Sequence, residues 1–217
     1  MTTSDAVPAL PALLDQAERL IELGVPTLAG LDPDALRQAA AALTVADPTV
    51  PALLAVDPAL APPSALAPLL RLGEKPGFVV VDMTDVDRFA PVQGLTLPGS
   101  PVYAVDLPDR GDEMAGWSPD EALPAISGAG RTPLTLAEGI HWALQAPAVV
   151  ERNHCYMTIG SRVRRPDGRL DARTPALWIS NGTGRDGREN RGAPKVGWCW
   201  AGNRHTWLGF ASGAGRR

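Results

Sequence analysis

The chain has little of what most secreted-protein and enzyme signatures require. Two cysteines in 217 residues, Cys155 and Cys199, exclude a disulfide framework and a four-cysteine zinc site. Aromatic residues make up only 5%, and there are three histidines. Neither a Gly-x-Ser-x-Gly elbow nor a His-Glu-x-x-His motif is present, which removes two common routes to hydrolysis. No segment reaches the ~18 apolar residues of a membrane span; Pro and Asp interrupt even the most apolar stretch, residues 50–70. The start, Met1-Thr-Thr-Ser-Asp-Ala, carries no positive charge before Leu10, so no secretory signal is expected. These absences predict a soluble cytoplasmic protein with two reduced thiols, no cofactor, no bound metal and no membrane partner.

What is present is unevenly distributed. Residues 151–217 hold 13 Lys+Arg against 5 Asp+Glu, a net of +8, and residues 1–150 hold 7 against 19, a net of −12. Every tryptophan, histidine and cysteine lies in the second half. An acidic, chemically bland front and a basic, aromatic back place function in the back.

Residues 8–23 predict an amphipathic helix with Leu10, Leu13, Ala17 and Leu20 on one face, stopped by Gly24 and Pro26. Asp32 caps a second helix with Pro33 at its first position. Residues 44–76 are rich in Pro, Ala and Leu and read as compositional bias, with Ser64 capping a short helix through Leu72. The β-branched run at 78–82 predicts a buried strand, and 101–105 a neighbouring one ending at Asp106. Two capping boxes follow, Ser118 with Glu121 and Thr135 with Glu138. From Cys155 on, the pattern is strands: 155–163, 175–180, 195–201 and 204–211. The predicted class is α+β, an N-terminal helical layer followed by a mixed sheet and a C-terminal antiparallel β-meander. The predicted division is a helical segment at 1–75 and an α+β domain at 76–217.

Three segments are distinctive: LTLAEGIHWALQAP at 134–147, PALWIS at 175–180 and GWCWAGNRHTWLGFAS at 197–212. Over residues 78–212 this wording resembles a bacterial, mostly actinobacterial family catalogued as a domain of unknown function. The resemblance implies no activity, cofactor or catalytic residue. In that family pattern PALWIS leads almost directly into GWCW, whereas residues 181–193 lengthen the connection here.

Gly202-Asn203 between two strand-like runs predicts a tight hairpin. That register pairs Trp200 with His205 and Trp198 with Trp207, so three indoles and one imidazole share a face. Cys199 then points to the other face, away from His205. The indoles either pack on the helix carrying Trp142, or form an open platform, or divide. In the divided arrangement Trp200, Asn203, Arg204, His205 and Trp207 line a site suited to a small anionic or aromatic ligand. An enzyme reading uses His205 or His154 as general base, with Asp82 or Asp106 orienting it or holding a metal. A third reading is an interaction module, protein or single-stranded nucleic acid meeting the arginines at 162, 164, 165, 169, 173, 185, 188 and 191. The GTGRDG run at 182–187 matches the dinucleotide fingerprint, but no helix is expected after it. Oligomeric state is open.

Overall fold

The structure, a computed structural model, describes residues 8–47 and 49–217. The first helix, Leu13–Glu22, buries Leu13, Gln16, Ala17 and Leu20, the expected stripe, and the chain leaves it through Gly24 in the left-handed region. Asp32 caps the helix Pro33–Ala46 by accepting the Asp34 N–H at 2.7 Å. Both predicted capping boxes form, at Pro119–Gly128 and Leu136–Gln145. The molecule is α+β.

Two sheets organise the strands. One has the order Ala52–Val56, Val102–Asp106, Gly215–Arg216, all antiparallel. The other runs Leu208–Phe210, Cys155–Met157, Arg173–Ile179, Pro194–Trp200, Phe78–Val79, with parallel pairs at both edges. The helix Leu136–Gln145 lies between them with all ten residues buried. Its His141 ring accepts the Val56 N–H from the first sheet, and its Gly139 carbonyl accepts the Tyr156 hydroxyl from the second. A methyl group at Gly139 would stand 2.3 Å from Thr158, so only glycine lets helix and sheet approach this closely.

Several expectations are corrected. Ala52–Val56, read as compositional bias, is a strand buried on both faces, and Gln16 extends its edge through the Ala52 carbonyl and the Leu54 N–H, both at 2.8 Å. Ser64 caps nothing: Pro62 precedes the turn Pro63–Leu66, and Ser64 bonds Asp87. The strand at 78–82 shrinks to Phe78–Val79, with Val81 exposed. Val102–Asp106 is not its neighbour but sits in the other sheet. His141 is completely buried. One hydrophobic cluster runs from Leu13 to Ala211.

The predicted final hairpin does not form. Pro194–Trp200 has both edges occupied, by Arg173–Ile179 in full register and by Phe78–Val79. Leu208–Phe210 therefore crosses to the far edge beside Cys155–Met157. The connecting loop is tied down on its way: Ala201 N–H donates to Ala172 O, Asp120 N–H to Ala201 O and Gly116 N–H to His205 O. The five-stranded sheet buries alternate residues on opposite faces. Tyr156, Leu177 and Val196 join the main core; Cys155, Met157, Ala176, Leu208 and Phe210 join a smaller one under Ala122 and Ile126 of the Pro119–Gly128 helix.

Candidate functional site

Because the hairpin is replaced by a crossing loop, its parity no longer governs the side chains. Cys199, expected to face away from His205, has its Sγ 3.0 Å from His205 Nε2. Asn203 brings Nδ2 to 3.7 Å from the same sulfur. The His205 ring lies 5.1 Å from Trp207, centroid to centroid. Of the five residues expected to line the site, Asn203 and His205 are thus gathered around Cys199, with Trp207 beside the His205 ring. The other two are elsewhere. Trp200 is on the opposite face of its strand, edge-on to Trp198 at 4.6 Å, and Arg204 is paired with Glu121. The indoles do not pack on Trp142, whose ring partner is Tyr156 at 5.5 Å.

The face of the sheet that carries Cys199 also carries Trp178 and Lys195, which sit opposite each other in the register. Trp178 is held firmly. A Cβ at Gly197 would lie 2.9 Å from its ring, so that glycine makes room for the indole. Lys195 Nζ lies 4.4 Å from the ring centroid and is bonded to both Asp186 oxygens at 2.6 and 2.7 Å. Ser180 Oγ–H donates to Asp186 at 2.9 Å. Burial holds the Lys195 ammonium below its usual pKa, against the opposing pull of Asp186.

Between Trp178 and Trp207 lies a cavity of about 220 Å³, bordered also by Cys155, Arg152, Asn153 and Asn181. Burial pushes the Cys155 thiol up to about 12, so it behaves as an inert apolar wall. Arg152 bonds the Asn181 side-chain oxygen at 3.3 Å. Asn181 also borders a second hollow, about 460 Å³, with Gly182, Thr183, Arg188 and Arg191. Gly182 is left-handed, and a Cβ there would strike Arg191 Cβ at 2.5 Å. Among the described residues neither Arg188 nor Arg191 has an acidic partner. The GTGRDG run itself forms a short 3₁₀ turn, Gly184–Asp186, and is followed by another, Arg188–Asn190, instead of a helix, so this is not a dinucleotide-binding turn. Sequence reasoning missed Trp178, Arg152 and Asn181; only folding brings them beside Trp207.

The other candidates separate. Asp82 pairs with Arg185 and Asp106 with Arg217, each at 2.9 Å, and they stand near different sheets. Asp85 is held by Arg173 and Asp87 by Ser64. They do not converge, and among the described residues no trio of His, Cys, Asp or Glu is disposed to hold a metal. His154 contacts Asp112 at 3.0 Å, but the Arg110 guanidinium lies 2.8 and 2.9 Å from its two ring nitrogens, leaving neither free. Five arginines of the basic third are paired with the acidic front: Arg173, Arg185, Arg204, Arg216 and Arg217 reach Asp85, Asp82, Glu121, Glu138 and Asp106. Arg162 is buried on the Asp171 carbonyl. The broad basic face required for nucleic acid is thereby broken up.

A model of a family of unknown function, DUF5701, matches residues 19–217, and the chain belongs to that family. The match reaches well beyond the 78–212 resemblance and takes in most of the N-terminal helices. No curated protein and no solved structure matches the chain. Among the described residues no helix is long and apolar enough to cross a membrane.

Proposed function

We propose that this DUF5701 member binds a small aromatic molecule carrying an anionic group. The ring enters the slot between Trp178 and Trp207, and the anionic end points toward Arg152 and the arginine-lined hollow beyond Asn181. The observation that carries this reading is that a two-indole cavity and a hollow lined by Arg188 and Arg191, which have no acidic partner among the described residues, share Asn181. A cavity of about 150 Å³ has room for benzene, so about 220 Å³ has room for one substituted ring, with the polar side chains of Arg152, Asn153 and Asn181 left to meet its substituent. Indoles stack on such a ring for roughly 0.5–1.5 kcal/mol beyond burial, and guanidinium forks match a carboxylate or phosphate. Two free thiols support a reducing, cytoplasmic setting.

Phenyl phosphate is the probe. At roughly 0.4 kcal/mol per non-hydrogen atom it binds with a Kd of about 1 mM, read by tryptophan quenching. Trp207→Ala weakens that binding about 10-fold. The pair Arg188→Ser and Arg191→Ser weakens it similarly while leaving phenol unaffected. Equal affinity across wild type and both variants overturns the reading.

A further inference from the structure

A second centre lies beside this slot and does not depend on it. We infer that Cys199 is a nucleophile for acyl transfer, with His205 as its base and the Asn203 amide as the donor to the developing oxyanion. Three observations carry the inference. His205 Nε2 lies 3.0 Å from the thiol, within reach of its proton. Asn203 Nδ2 lies 3.7 Å from the same sulfur, so an oxygen on a carbon bonded to that sulfur falls within hydrogen-bonding distance of the amide. Cys199, near the end of its strand, and His205, in the loop that follows, are both half-buried, whereas Cys155 is sealed in the interior with its thiol pushed up to about 12.

The anchoring of the loop fits such a role. His205 is tied through its carbonyl to the Gly116 N–H, and Asn203 through its N–H to Trp200 O. Thr174 Oγ1–H bonds the Cys199 carbonyl at 2.7 Å. Backbone and neighbours hold the three groups, leaving the reactive atoms to one another. The substrate class is an activated acyl compound, an ester or thioester.

His205 Nε2 takes the thiol proton as the sulfur attacks the acyl carbon. The C–S bond forms and the carbonyl electron pair moves onto oxygen, where the Asn203 amide donates to it. Collapse breaks the bond to the alcohol or thiol leaving group, which receives the proton from His205, and a thioester remains on Cys199. A water molecule, losing its proton to His205, then attacks the thioester. The carboxylic acid leaves, and His205 returns that proton to the thiolate.

The test uses the full chain and 4-nitrophenyl acetate, with nitrophenolate release followed by absorbance and the acetyl group located by peptide mass spectrometry. Wild type acetylates at Cys199 at least ~100-fold faster than at Cys155. His205→Ala slows acetylation by about 100-fold, the scale of one general base. Asn203→Ala slows acetylation by about 10-fold or more but leaves iodoacetamide alkylation within about 2-fold, because alkylation creates no oxyanion. A thermal melt accompanies each variant, and His205→Gln replaces His205→Ala should the latter unfold. Acetyl absent from Cys199, or present at an unchanged rate in the His205 variant, overturns the inference. Equal slowing of both reactions by Asn203→Ala removes the oxyanion role and with it the proposed triad.

Discussion

Glu138→Leu destabilises the protein by about 3–5 kcal/mol, the range for removing one member of a buried ion pair. Glu138 is wholly buried, and its two oxygens serve four donors. Arg216 binds one through Nε at 2.6 Å and the other through its terminal nitrogen at 2.7 Å. The Tyr103 hydroxyl donates at 3.0 Å and the Thr135 N–H at 2.7 Å. Arg216 reaches this position because Gly215–Arg216 is a strand of the three-stranded sheet. Leucine strips the Arg216 guanidinium of its counter-ion, leaving it only Thr132 and the Pro133 carbonyl, and takes away the acceptor of the Tyr103 hydroxyl and the Thr135 amide. Urea unfolding at constant m reads the loss. Adding Arg216→Met to Glu138→Leu recovers part of it, since an apolar replacement of the whole pair is far cheaper than half of it. A loss under about 1 kcal/mol would mean that the carboxylate does not bind the C-terminal strand.

Stability falls by about 3 kcal/mol as pH drops from 6.5 to 4, through His141. Burial lowers its pKa from 6.5 to about 4, despite the Ala137 carbonyl and Glu138, which pull upward. The ring is committed at both nitrogens: Nδ1–H donates to the Ala137 carbonyl at 2.8 Å, and Nε2 accepts the Val56 N–H at 3.3 Å. Between pH 6.5 and 4 the unfolded chain binds a proton that the folded one refuses, so stability rises with pH across that window and is flat above it. A lowering from 6.5 to about 4 corresponds to about 3 kcal/mol at about 1.36 kcal/mol per pH unit. Urea midpoints at pH 7, 5.5 and 4 measure the slope, and in His141→Gln it is reduced by the contribution of this one group. An unchanged slope in that variant assigns the acid sensitivity elsewhere.

Much of the helical layer was legible because helix signals are local. Asp32 with Pro33 and the boxes at Ser118 and Thr135 act within one turn. Ala52–Val56 was illegible for the opposite reason: buried on both faces, it shows no alternation, and the prolines around it look like a linker. The partial recovery of the site follows the same logic. Asn203, His205 and Trp207 share one loop, so reading along the chain found them. Cys199 was turned away by assuming that adjacent strands pair, whereas Leu208–Phe210 pairs with Cys155–Met157. Trp178, Arg152 and Asn181 enter the slot only through the Arg173–Ile179 strand and its neighbours, and nothing in their local sequence marks them.

The slot between the two indoles is tested most directly by recording ¹H–¹⁵N correlations of the six tryptophan indole groups while phenyl phosphate is added. The account predicts that the Trp178 and Trp207 signals move together with one saturation curve, and that those of Trp117 and Trp142 stay in place. Stationary Trp178 and Trp207 signals, or movement confined to Trp200 on the opposite face of the sheet, would contradict it.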